Sequence, residues 1–269
     1  MGYYIEVEPR VNIYVEDLNP NCKRTIVFLH GWPGSHRLFE YQFTQLTAGF
    51  RCIGIDQRGF GNSDKPIDGY NYDRLSDDVR CVLETLDLKN VVLVGHSTGG
   101  AIAVRYMSRH NSCRVDKLVL CAAAVPSLIK RPYFPYGQTK EAIMDIIRGT
   151  LNDRPKMLKN FSKIFFYQNV SEELIEWFFQ IGLEAAGWAT AAVANTWLGE
   201  EELFYDMGKI NRPTLILHGI HDQVCFFPLA KAQNEGIRNS ILIPFENSGH
   251  ALFYEERDKF NFELLSFAK

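Results

Sequence analysis

Short uninterrupted apolar runs recur along this chain: Thr25-Ile26-Val27-Phe28-Leu29, Cys52-Ile53-Gly54-Ile55, Val91-Val92-Leu93-Val94, Leu118-Val119-Leu120, Thr214-Leu215-Ile216-Leu217 and Ile241-Leu242-Ile243. Runs this short, without polar alternation, predict strands covered on both faces, as in a parallel sheet. Ahead of them Tyr3 to Val7 and Val11 to Val15 alternate like half-exposed strands about Pro9-Arg10, which predicts an antiparallel hairpin at a sheet edge. Leu75, Val79, Val82, Leu83 and Leu86 fall at helical spacing within Arg74 to Leu86. Thr98 to His110 is a second predicted helix, whose Gly and Ala start permits close packing on a sheet, and Leu252 to Phe267 is helix-like. The rhythm is β-α-β, and the fold class is α/β: a mostly parallel central sheet, an N-terminal hairpin and helices on both faces.

Between about Pro126 and Gly208 the rhythm breaks into helical, aromatic-rich segments before the strand at Thr214 restores it. This divides the chain into an α/β core, residues 1–125 and 209–269, and an inserted helical lid, residues 126–208. The insert carries Tyr133, Phe134, Phe161, Phe165, Phe166, Trp177, Phe178, Phe179, Trp188 and Trp197, more than it needs to close a core of its own. Most are expected to glue the insert to the main domain and some to face a ligand, with no individual one assigned.

Composition narrows the partners. The chain has 269 residues, 46% hydrophobic, with a net charge of −3 and no dense Lys/Arg cluster, so nucleic acid and acidic membrane surfaces are not expected. No apolar run reaches the roughly 18 residues of a membrane span. Glu6, Glu8, Glu16 and Asp17 occupy the place of a basic leader, and six cysteines are scattered without a Cys-x-x-Cys pair; a reducing, cytoplasmic setting is expected. The oligomeric state is not legible.

Gly95-His96-Ser97-Thr98-Gly99 follows one apolar run and opens a predicted helix, the setting of a nucleophilic serine on a strained strand-to-helix turn. Composition alone yields a Gly-x-Ser-x-Gly match about one time in ten in a chain this long, so the surroundings must carry the reading. A serine needs a base to take its proton, and His250 lies on the loop beyond the run ending at Ile243. His30, His96 and His218 could line the site, whereas His36 and His110 are expected at the surface. The base needs an acid from the same sheet edge: Asp222 follows the strand at Leu217, while the loop after Leu120 reads Cys121-Ala122-Ala123-Ala124 and offers no carboxylate. His218, His221 and Asp222 lack the converging spacing of a metal site, so neither metal nor cofactor is expected. Oxyanion donors are expected from the backbone N–H of Thr98, at a helix N-terminus, and of Trp32, in the loop His30-Gly31-Trp32-Pro33-Gly34-Ser35.

In the order Ser97, Asp222, His250, and in the blocks Phe28-Leu29-His30-Gly31-Trp32-Pro33-Gly34, Asp56-Gln57-Arg58-Gly59-Phe60-Gly61-Asn62-Ser63 and Val92-Leu93-Val94-Gly95-His96-Ser97, the chain resembles the α/β-hydrolase superfamily. Its lid position and Ala101 to Tyr106 look most like the bacterial cofactor-free haloperoxidases, many of them aryl esterases. That branch usually carries Phe-Ser-Met-Gly where this chain has His96-Ser97-Thr98-Gly99. Epoxide hydrolases and haloalkane dehalogenases share the first two blocks but use an aspartate nucleophile, and position 97 is serine. The resemblance implies a serine hydrolase of small aryl or alkyl esters acting through an acyl-enzyme, with perhydrolysis as a side activity. A small-molecule receptor or signalling protein with weak turnover, a C–C bond hydrolase and a lactonase are the alternatives. Asp56, Arg58 and Ser63 are read as holding local turns and ion pairs.

Overall fold

A computed structural model describes residues 1–269. Its sheet has eight strands: β1 (Gly2–Glu8), β2 (Val11–Leu18), β3 (Thr25–Leu29), β4 (Arg51–Ile55), β5 (Val91–His96), β6 (Val115–Cys121), β7 (Thr214–Gly219) and β8 (Ser240–Phe245). Their order across the sheet is β1-β2-β4-β3-β5-β6-β7-β8. β1 and β2 form an antiparallel hairpin, with Arg10 at φ 68 in its turn, and β2 meets β4 antiparallel. Every other pairing is parallel. Five of the six runs that predicted two-sided burial behave that way, and every residue of β3, β5 and β7 is buried; Ile241-Leu242-Ile243 does not, because β8 is an edge strand and Ile241 is 61% exposed.

The helices are α1 (Glu40–Leu46), α2 (Tyr72–Thr85), α3 (Thr98–Arg109), α4 (Lys140–Phe165), α5 (Glu172–Glu184), α6 (Gly187–Gly199), α7 (Leu203–Lys209), α8 (Pro228–Gly236), α9 (Leu252–Glu255) and α10 (Arg257–Ala268). α1 and α10 pack on each other, and α2, α3, α7 and α8 form a second packed row. α4 to α7 fall between β6 and β7 and form a helical insertion. Its last helix, α7, packs on α3, where the Arg105 guanidinium donates to the buried Asp206 carboxylate at 2.9 Å. One hydrophobic core runs through the whole chain, and Phe161, Phe165, Phe178 and Trp197 of the insertion belong to it.

The chain leaves β3 for β4 on one side and reaches β5 on the other, so the loops after β3 and β5 diverge around a common crevice. In open α/β sheets that crevice, outside the carboxyl ends of the strands, is where ligands bind. Register brings the relevant ends level: Gly95 pairs with both Leu29 and Leu120, His96 with Cys121, and Gly219 with Phe245.

Candidate active site

Ser97 stands between β5 and α3 at φ 53, ψ −120, a conformation rare outside glycine and costing of order 1–3 kcal/mol. Backbone bonds hold it there: its N–H donates to the Cys121 carbonyl at 3.0 Å, and its own carbonyl accepts from Gly100 and Ala124. The flanking glycines are steric necessities. A Cβ on Gly95 would stand 2.5 Å from the Gly99 carbonyl oxygen, and one on Gly99 2.3 Å from that of Leu29.

The loop after β3 approaches as closely. A Cβ on Gly31 would lie 2.7 Å from the Ser97 Cβ, and the Gly34 N–H closes a turn onto the Gly31 carbonyl at 2.8 Å. Between these two glycines lies Trp32, whose indole N–H donates to the Thr190 carbonyl at 3.0 Å. The backbone N–H groups of Trp32 and Thr98 donate to no acceptor in the protein, the condition an oxyanion site requires.

Asp222 and His250, from the loops after β7 and β8, form a buried pair with Nδ1 to Oδ2 at 2.7 Å. The other Asp222 oxygen accepts the Val224 and Cys225 N–H groups at 2.8 and 2.9 Å. Burial alone would raise the Asp222 carboxyl; the charge of His250 and the hydrogen bonds from His218 and His250 outweigh it and hold the group far below the ordinary aspartate range. Nδ1 of His250 is therefore the donor, which leaves Nε2, buried and without a hydrogen-bond partner, as an acceptor. Ser97 Oγ makes its one polar contact with Cys225 Sγ, at 3.9 Å.

The remaining histidines sort by partner. His96 packs its ring 4.6 Å from that of His250 and its Nε2 lies 3.1 Å from the His250 carbonyl; burial, then the charge of His250, hold it well below 6.5, so it is neutral and Nε2 donates. His218 Nε2 binds the Cys225 carbonyl at 2.6 Å and lies 3.4 Å from Asp222. His221 stacks on Tyr167. The surface placement expected for His36 and His110 is corrected: both are mostly buried, because each meets a carboxylate, Asp56 at 2.9 Å and Asp77 at 3.0 Å. Asp56, Arg58 and Ser63 hold local structure: Asp56 accepts the His36 and Asn62 N–H groups, Ser63 donates to the Asp56 carbonyl, and Arg58 is buried against Asp78.

Ser97 opens into a cavity of about 300 Å³ whose walls include Trp32, Ile143, Ile146, Phe161 and Trp197. Of the insertion's aromatics only Phe161 and Trp197 reach it. Phe165 stacks on Phe178 at 4.0 Å and Phe166 packs on Tyr254, so these serve packing. Two residues near Ser97 escaped sequence reading. Cys225 looked like one more scattered hydrophobe, and Gln138, on the cavity wall, pins the carbonyls of Gln223 and Val224 through its amide nitrogen.

Residues 24–143 match the family model for the alpha/beta hydrolase fold. An AB hydrolase superfamily protein of Bacillus subtilis is 48% identical over all of this chain and 99% of its own length. An esterase structure from Exiguobacterium antarcticum superposes with a TM-score of 0.97 at 41% identity, over 100% of this chain and 99% of that one. A bromoperoxidase structure from Bacillus anthracis gives 0.95 at 34% identity, over 99% of each chain. On its eight-stranded sheet, its family-model match and these whole-length likenesses, the chain belongs to the α/β-hydrolase superfamily, among relatives named as esterases and haloperoxidases.

Proposed function

We propose that the protein is a serine hydrolase that cleaves small carboxylic esters through an acyl-enzyme on Ser97. The observation that carries this reading is the strained Ser97 turn with two unbonded N–H groups, Trp32 and Thr98, beside it and the His250–Asp222 pair at the same sheet edge. On this reading Ser97 Oγ swings from Cys225 toward Nε2 of His250; such bonds commonly tighten only when substrate is bound. As Oγ attacks the ester carbon, His250 takes its proton and the carbonyl oxygen becomes an oxyanion held by the Trp32 and Thr98 N–H groups. Collapse expels the alcohol, protonated by His250. Water then attacks the acyl-enzyme, gives a proton to His250 and releases the acid as Ser97 recovers its hydrogen. Asp222 fixes the tautomer and stabilises the imidazolium, and the helical insertion serves as the lid.

Replacing Ser97→Ala is expected to lower kcat on 4-nitrophenyl acetate by a factor on the order of 10³–10⁶ and to abolish labelling by a fluorophosphonate. Wild-type turnover in that variant would sink the mechanism. Tight ligand binding without a burst of 4-nitrophenol would favour a receptor instead. The likeness to a bromoperoxidase supports a second fate for the same intermediate: attack by hydrogen peroxide rather than water, giving a peracid. Peroxide-dependent halide oxidation that requires an ester or carboxylic acid, and is lost with Ser97, is the expected signature.

A further inference from the structure

The helix α4 is bent by its own sequence. Asp153 breaks the helical backbone at φ −153, ψ 73, its carboxylate accepts the Lys156 N–H at 3.2 Å, and Pro155 follows in the first turn of the second arm, where its missing N–H costs nothing. The arms, residues 140–152 and 154–165, fold toward each other so closely that a Cβ on Gly149 would stand 3.0 Å from the Met157 Cγ. Between them lies a second cavity of about 400 Å³ lined by α4 alone. It shares Asp145, Ile146, Phe161 and Ile164 with the cavity at Ser97. No Lys, Arg or His lines the inner cavity, so a carboxylate carried into it would lose its hydration without gaining a cation.

We infer that the two cavities form one binding path, and that the preferred substrates are uncharged esters with a medium-length apolar arm running from Ser97 past Ile146 and Ile164 into the angle of α4. This rests on the serine-hydrolase reading above and names its substrate class. The inner cavity alone suits a short ester; the second has no role in the chemistry, yet continues from it as a more open cleft in which Ile146, Phe161, Ile164 and Met157 offer an apolar track beside the polar Asn152, Asp153, Lys156 and Asn160.

The test is a chain-length series read as ratios of kcat/KM: 4-nitrophenyl acetate, butyrate, hexanoate and octanoate for an acyl arm, and ethyl to octyl acetates for an alcohol arm. Burying each added methylene is expected to raise kcat/KM about fourfold in one of the two series, until the path is full. Mono-4-nitrophenyl succinate is expected to fall at least about 100-fold below the butyrate. Ile164→Trp, at the junction, should collapse the octyl-to-short ratio toward one; Met157→Trp, farther out, should trim only the longest chains and serves if the first variant does not fold. A flat response in both series, or a wild-type ratio in both variants, overturns the path, as does equal use of the succinate and the butyrate. If Ser97 accepts the fluorophosphonate and acetate is turned over, such results leave the hydrolase reading standing. Absence of labelling and of turnover on every ester would remove that reading and this inference together.

Discussion

At the scale of single residues, the site is a set of conflicts settled by geometry. Ser97 is strained, and what keeps it so is the absence of side-chain atoms on either side; Gly99→Ala is expected to be among the most destabilising substitutions in the chain, because its Cβ would meet the backbone of Leu29 and His30. Asp222→Asn keeps the shape of its pair but supports the wrong tautomer of His250, so kcat should fall by about 10³–10⁴ with KM little changed, measured on an aryl ester. His96 supplies a prediction of a different kind. Its folded pKa lies well below 6.5, so from about pH 6.5 downward the unfolded chain binds a proton that the folded chain refuses. Stability is therefore full above that pH and falls on acidification, at up to about 1.4 kcal/mol per pH unit for each such histidine. His30, fully buried and lowered chiefly by burial, adds in the same direction. Urea unfolding at pH 7 and pH 5 should show a shallower loss in His96→Phe than in the wild type.

At the scale of elements, the parts legible in the sequence are those whose pattern is local. The strands were readable because two-sided burial writes an apolar run, and Ser97, Asp222 and His250 because each follows such a run on the loop beyond it. The bend in α4 was not read, although Asn152-Asp153-Arg154-Pro155 carries an N-cap residue and a first-turn proline, because hydrophobic periodicity continues across it. Nor could sequence show how the insertion is tied to the loop of His250. There the His250 N–H donates to the Phe165 carbonyl at 3.1 Å, and one carboxylate, Glu255, accepts the N–H groups of Tyr167, Gln168 and Gly249 at 2.6, 2.6 and 2.7 Å. Phe165, Tyr167 and Gln168 lie 85 to 88 residues from their partners, a distance no local pattern spans. Glu255→Ala should unfasten the end of α4 from the His250 loop, lowering kcat about tenfold in steady-state assays while the Asp222–His250 pair remains.

At the scale of the whole molecule, the division into core and insertion is one of chain order, and packing crosses it. Phe165 belongs to the insertion by sequence, yet it stacks on Phe178, meets the rings of His96 and His250 edge-on at 5.9 and 5.1 Å, and is buried in the same core as the sheet. If the insertion were an independently folding unit, trimming Phe165 would loosen it and leave the sheet's melting unchanged. A shared core requires the opposite. Phe165→Ala removes a buried aromatic with neighbours on both sides, a change that typically costs about 3–5 kcal/mol. In a chain of this size that should lower Tm by about 6–10 °C. Calorimetry is expected to show one transition in both wild type and variant, displaced as a whole; a separate early transition in Phe165→Ala would mean that the insertion melts by itself and that the core is two cores in contact.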